Sequence, residues 1–267
     1  LLKMTPSEFC TVLTAGMATV ASNVLAIYVF TLRDYFPNIA GHLVSASIIA
    51  APSALIMSKM LLPESGEPVT LGVAVAPVYE KEESLFVALI NGANTGLKVA
   101  AGIAALLLAV LGLVALLDLV MTMLGGRVNL LCGLQIDWSL KGLLGYLFYP
   151  LMLVIGIPAA DAGTIAGIVG ERVVVTEITA YQDLAAAMAN DVLVHKRSAV
   201  IATYALCGFA HVASVAIFVG GISALVPQRT ADLARVGMRA LVAATLACLL
   251  TACIAGTFFN QTSLLMN

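Results

Sequence analysis

"ADAGTIAGIVGERVVVTEITAYQDLAAAMA", residues 160–189, decides the fold. It has two apolar arms, each too short for the roughly 20 residues that a membrane-spanning helix needs. They meet at Gly170–Ile178, where Glu171, Arg172, Thr176 and Glu177 interrupt the apolar run. Two short arms with a polar tip are the pattern of a re-entrant helical hairpin. Irregular backbone at membrane depth is tolerated only inside protein or beside a cavity. Such broken elements form binding sites in secondary transporters. The competing reading is an amphipathic surface pair with Glu177 in water, and the residues alone leave both open.

The rest of the chain sets the context. Of 267 residues, 61% are hydrophobic and 10% charged, with a mean hydropathy of +1.04. Soluble domains carry about 25% charge, so this is an integral membrane protein. A net charge of −2 offers no basic field for nucleic acid. The five cysteines, Cys10, Cys132, Cys207, Cys248 and Cys253, form no CxxC pair and read as small buried thiols. The opening "LLKMTPSEFC" starts without Met at the lip of an apolar run, which predicts the later part of a longer protein.

Apolar runs predict spans at Phe9–Leu32, His42–Leu62, Gly92–Leu124, Ser198–Val226 and Leu233–Phe259. Pro63–Ser84 and Gly125–Ser139 read as loops, and Leu140–Ile157 as a short interfacial helix ending at Pro158. The resulting organisation is 1–62, two transmembrane helices; 63–91, a polar loop and amphipathic segment; 92–124, a long helix; 125–159, a loop and interfacial helix; 160–190, the hairpin; 195–267, two last helices. Arg229, Arg235 and Arg239, with Lys59 and Lys81, favour one cytoplasmic side and a C-terminus outside.

Ionisable residues within apolar runs cost at least ~2.5–3.5 kcal/mol at mid-depth. They are Lys98, Asp118, Glu177 and His211. Lys98 lies early in its run and snorkels. Asp118 either pairs across helices or faces water. His42 and His195 fall at segment ends, where solvation is the ordinary reading. His211 and Ser214 stand one helical turn apart, a spacing that more often means packing than nucleophilic catalysis. Gly208 beside His211 allows the helix to unwind there. No phosphate-binding loop, HExxH or GxSxG motif is present, and no enzyme is expected.

The segments "MTPSEFCTVLTAGMATVASNVLAIYV", "SASIIAAPSALIMSKMLLPE", "INGANTGLKVAAGIAALLLAVLGLVALLD", "GERVVVTEITAYQDL" and "ATYALCGFAHVASVAIFVGGISALVPQRTADLARVGMRAL" occur in this order. Together they resemble the C-terminal part of the concentrative nucleoside transporters over nearly the whole chain. The resemblance implies an all-α polytopic membrane protein with re-entrant hairpins and broken helices. It also implies a homotrimer in the cytoplasmic (inner) membrane and nucleoside symport driven by Na+ or H+, with no other cofactor.

Site roles follow by position. The family's hairpin tip reads Asn-Glu-Phe-Val-Ala-Tyr; here Thr176-Glu177-Ile178-Thr179-Ala180-Tyr181 stands in its place, and Glu177 maps to the carboxylate that bonds ribose hydroxyls. The unwound helix reads Gly-Phe-Ala-Asn, with a Ser three residues on; here it is Gly208-Phe209-Ala210-His211, then Ser214. Phe209 then lines the site, Ser214 meets the ribose, and His211 replaces the family's Asn. That imidazole either bonds a hydroxyl or bonds Glu177 directly, and it also raises the question of proton coupling. Val24 maps to an apolar residue against the nucleobase, and Thr19 and Val20 to a sodium-coordinating pair. The family's first hairpin, with its base-reading Gln-Thr-Glu tip, has no counterpart in these residues. The Thr19 hydroxyl leans toward sodium, while His211 and Thr176 keep open a carrier for a modified or non-ribose solute. A channel or scaffold is the out-of-class alternative.

Overall fold

The computed structural model describes residues 3–20, 22–68, 71 and 82–259. Among them the regular structure is helical throughout. The elements are α1 (Pro6–Ala18), α2 (Ser22–Leu32), α3 (Ile39–Leu61), α4 (Leu85–Cys132), α5 (Leu140–Val154), α6 (Ala159–Val174), α7 (Glu177–Ala189), α8 (Lys196–Leu206), α9 (Val212–Leu225) and α10 (Thr230–Thr257). Among the described residues, three stretches are long and apolar enough to cross a membrane: α3, α4, and Pro227–Thr257, in which a short 3₁₀ turn leads into α10. Lys81 and most of the Pro63–Ser84 loop lie outside the described residues.

Two expected spans are each broken in the middle. Phe9–Leu32 divides into α1 and α2, and Thr19 after α1 is extended at φ −104°, ψ 154°. Its hydroxyl donates back to the Ala15 carbonyl at 2.8 Å. Ser198–Val226 divides into α8 and α9 around Cys207–His211. The two breaks touch. A Cβ added to Gly208 would lie 3.0 Å from the Ala18 carbonyl oxygen and 2.4 Å from Cys248 Sγ on α10. Only hydrogen fits at residue 208.

The expected loop at Gly125–Ser139 is shorter than its glycines suggest, because α4 continues to Cys132. Trp138 folds over Gly125, and a Cβ there would overlap the indole. The Asn129 amide donates to the Ile136 carbonyl at 2.8 Å, and the Trp138 indole donates to Asn129 Oδ1 at 3.0 Å. These tertiary contacts outweigh the poor helix propensity of Gly125-Gly126. Gly133, at φ 66°, then ends the helix in the left-handed conformation that glycine adopts freely. At 48 residues α4 is about 72 Å long at 1.5 Å per residue.

Small residues set the packing of α5 against α6. A Cβ on Gly145 would sit 3.4 Å from Gly167 Cα, and one on Gly170 would sit 2.9 Å from the Leu144 backbone. Close backbone approach of this kind drives association where lipid removes the hydrophobic incentive. One buried cluster joins α2, α3 and α5–α8 through Tyr28, Leu43, Met152, Ile165, Tyr181, Leu184 and Leu206. A second joins α1, α10 and the break after α8 through Phe9, Leu13, Met17, Ala210, Leu233 and Cys248.

Three polar residues from the sequence reading find structural partners. Asp118, half-buried on α4, accepts from the Leu140 N–H at 2.7 Å and so caps α5. His42 is buried at 5% exposure rather than solvated, with Nδ1 3.2 Å from the Tyr204 hydroxyl. The reason is that α3 begins at Ile39, which carries His42 onto the face packed against α8. His195 is exposed as expected, and its Nδ1 lies 3.0 Å from buried Asp161. Lys98 is exposed on α4.

Candidate solute site at the hairpin bend and the second helix break

Helices α6 and α7 pack on each other and are joined by Val175 and Thr176 alone. Thr176 is extended (φ −154°, ψ 160°) and Glu177 is the first residue of α7. A carboxylate there sits in the favourable field of a helix N-terminus. Glu177 is buried at 1% exposure. Its Oε1 accepts from the Tyr28 hydroxyl at 2.7 Å. Tyr28 stacks on Tyr181, with ring centroids 4.5 Å apart and planes at 29°. Tyr181 in turn donates to the Thr203 carbonyl on α8 at 2.9 Å.

On the other side stands the break between α8 and α9. His211 is the N-cap of α9, and its Nδ1 accepts from the Ser214 N–H at 3.2 Å. A backbone N–H can only donate, so this contact assigns the ring hydrogen of neutral His211 to Nε2. That Nε2 lies 2.9 Å from Glu177 Oε2. The pair is close but not aligned as a hydrogen bond. Glu177 Oε2, His211 Nε2 and Ser214 Oγ are all buried without a hydrogen-bond partner among the described residues. Phe209 meets the imidazole edge-on at 4.6 Å between centroids.

An orphaned buried polar group costs ~1–3 kcal/mol. Ser214 Oγ has no hydrogen-bond partner among the described residues, and Glu177 Oε2 and His211 Nε2 have only each other, unaligned at 2.9 Å, so this place, where two helices are interrupted, is short of partners. It offers one carboxylate acceptor, one N–H donor and one hydroxyl that does either. With Glu177, His211 and Ser214 each at most 2% exposed, a solute reaches them only when neighbouring elements separate.

The structure therefore brings Glu177, His211, Ser214 and Phe209 together. Val24 packs against the cluster that holds Tyr28 and Tyr181. The Thr176 hydroxyl faces that of Thr179 at 3.3 Å and does not cap α7. Thr19 and Val20 occupy the other helix break, and no hydrogen bond joins Thr19 to the Glu177 group. Sequence reasoning missed Tyr28 as a partner of Glu177. The available signal was its spacing, four residues after Val24 and thus on the same helical face.

Comparison with known proteins gives a consistent picture. Residues 42–256 match a family model described as the Na+ dependent nucleoside transporter C-terminus. Solute carrier family 28 member 3 of Mus musculus is 34% identical over 95% of this chain and 36% of its own length. Sodium/nucleoside cotransporter 1 of Rattus norvegicus is 34% identical over 97% of this chain and 40% of its own. An uncharacterised transporter of Haemophilus influenzae is 34% identical over 96% of this chain and 60% of its length. The chain thus spans about a third to three fifths of these relatives. A double variant of CNTnw in an outward-facing state superposes with a TM-score of 0.82 at 35% identity, covering 96% of this chain and 59% of that one. CNTnw in an inward-facing, substrate-bound state gives 0.69 at 36% identity, covering 96% and 58%.

Proposed function

We propose that this chain, which belongs to the Na+-dependent nucleoside transporter family, carries the solute site of a cation-coupled nucleoside symporter in the cytoplasmic membrane. It is a membrane protein of the transporter class and not an enzyme. The observation that carries the reading is the buried group of Glu177 Oε2, His211 Nε2 and Ser214 Oγ, none with an aligned hydrogen-bond partner among the described residues, although Oε2 and Nε2 stand 2.9 Å apart. A nucleoside supplies sugar hydroxyls that both donate and accept. Glu177 Oε2 takes a hydroxyl hydrogen, His211 Nε2–H donates to a hydroxyl oxygen, and Ser214 Oγ serves a second hydroxyl. Bonds to an ionised carboxylate are roughly twice as strong as neutral ones. Phe209 and Val24 supply the apolar walls, and Thr176 shapes the bend that presents Glu177.

In this reading α6 and α7 are the re-entrant hairpin, and they move with α8 and α9 to expose the site on alternate sides. Long, exposed α4 stays with the static part and forms the homotrimer contact. The coupling ion is sodium, travelling as cargo. Thr19 fits such a role: its hydroxyl hydrogen is committed to Ala15, which leaves the oxygen lone pairs free, and the extended backbone at Thr19, outside the helix, frees carbonyl groups nearby. The family description and the name of the rat relative support sodium over protons. A second reading, a carrier for a modified or non-ribose nucleoside, draws on His211. Its committed Nδ1 leaves only a donor, where the family's Asn offers a donor and an acceptor.

Counterflow of labelled uridine and adenosine in proteoliposomes of the complete protein, with sodium, proton or no gradient, tests this. Uphill uptake that follows sodium is expected. Equilibration without accumulation would indicate a channel, and no flux of either nucleoside would favour the modified-solute reading.

A further inference from the structure

A buried charge among the described residues is not used by the solute site. Arg172, in the last turn of α6, is 0% exposed. Its Nη1 donates to the Ala205 carbonyl at 2.6 Å, while Nε and Nη2 have no hydrogen-bond partner among the described residues. Nor does it form an ion pair among them: Glu171 pairs with Lys141, and Glu177 with Tyr28 and His211. A buried guanidinium without a carboxylate is strongly unfavourable unless something else supplies negative potential.

That potential comes from the end of α8. A helix C-terminus carries about half a negative charge and leaves its last four carbonyls without helical donors. Here those carbonyls are Thr203, Tyr204, Ala205 and Leu206, and each has a donor. The Cys207 N–H reaches Tyr204 O at 3.3 Å, and the Gly208 N–H reaches Leu206 O at 2.7 Å. The other two donors come from the hairpin, Tyr181 on α7 to Thr203 O and Arg172 on α6 to Ala205 O. In broken membrane helices such a half-helix C-terminus is where a metal cation commonly binds.

We propose that Arg172 is the fixed cation of this helix break. It is a positioning residue that holds the end of α8, and through it the His211 side of the solute site, in the place a bound metal ion would otherwise take. The assignment builds on the transporter reading, yet it has a readout of its own in thermal stability.

The test compares Arg172→Lys, which keeps the charge, with Arg172→Gln, which keeps a hydrogen-bond donor and loses the charge. Each is made in the complete protein and measured by melting temperature in detergent and by nucleoside uptake in proteoliposomes. Arg172→Lys is expected to melt close to wild type and to retain uptake within about threefold, whereas Arg172→Gln, losing a charge-assisted bond, falls at least about tenfold. With the fixed positive charge gone from the end of α8, Arg172→Gln also gains a stabilisation by Na+ over choline that wild type lacks at this end, seen as a steeper dependence of melting temperature on Na+. Equal behaviour of the Lys and Gln variants overturns the proposal, as does failure of Arg172→Lys to yield folded protein, because charge would then not be what the position requires. If wild type moves no nucleoside, the function proposed above falls alone. The order of melting temperatures, wild type and Lys above Gln, still decides the role of Arg172.

Discussion

Replacing Glu177 by Gln isolates the charge of the solute site while keeping its shape. In the resting structure Tyr28 donates to Oε1 at 2.7 Å and His211 Nε2 stands 2.9 Å from Oε2. Because His211 Nδ1 is committed to the Ser214 N–H, Nε2 can only donate. The Gln oxygen must then face His211 and its NH₂ must face the Tyr28 oxygen, which accepts. The weakened Tyr28 bond is common to the empty and loaded states, so it largely cancels in affinity. What remains is the bond from a sugar hydroxyl to Oε2, which changes from charge-assisted to neutral. Those classes differ by about 1–1.5 kcal/mol, roughly a five- to thirteenfold rise in KM. Two hydroxyls on the same oxygen would double the energy. Stability changes little, and a loss of ~1 kcal/mol lowers the melting temperature by only about 2–4 °C. Uptake of labelled uridine and adenosine, normalised to folded transporter, measures the first; a thermal melt of the same sample measures the second. A KM within twofold of wild type, or a loss of uptake explained wholly by a lower melting temperature, refutes the assignment of Glu177.

Other substitutions probe the surroundings. Tyr28→Phe removes the donor to Glu177 Oε1 and leaves the stack on Tyr181 intact; a loss of about 1–3 kcal/mol in stability with KM within about twofold of wild type is expected in the same two assays, because that bond is present in both the empty and the loaded state. Gly208→Ala drives a Cβ to 3.0 Å from the Ala18 carbonyl and 2.4 Å from Cys248 Sγ, so a drop of ~1–3 kcal/mol is expected. Cys248→Ala should relieve only the thiol part, which a double-mutant melt resolves. Asp161→Ala strips acceptors from the N–H groups of Val194 and His195 and from the Ser198 hydroxyl at 2.6 Å; it should cost more than Asp118→Ala, which removes one helix cap worth about 0.5–2 kcal/mol.

Some of this was legible in the chain and some was not. A bend within residues 160–189 was one of two readings the residues allowed, because each arm is too short to span and the polar tip is local in sequence, while a surface pair fitted the same pattern. The grouping of Glu177, Phe209, His211 and Ser214 was legible only through the family resemblance, which aligns the residues around 177 and 208–214 with the family's motifs. The break after Ala18 was not, since Thr19 and Val20 sit in an unbroken apolar run. Nor was the continuation of α4 past Gly125-Gly126, which depends on an indole arriving from residue 138. His42 looked like a segment-end residue until α3 and α8 were seen to pack. Arg172 was visible as a charge, but its partner lies on α8, and a contact with a backbone carbonyl leaves no mark on residue identity.

The contact between the two helix breaks has a thermodynamic meaning. Gly208, at the start of the break that bears His211, rests on the carbonyl that ends α1, one residue before Thr19, with no spare volume between them. Whatever rearranges one break must displace or be resisted by the other. An occupant of the Thr19 end and an occupant of the His211 end then alter each other's affinity by one common factor, since linkage is reciprocal. In the symporter proposed above, coupling of cargo to driving ion would require that reciprocity and would pass through a residue whose side chain is a hydrogen atom.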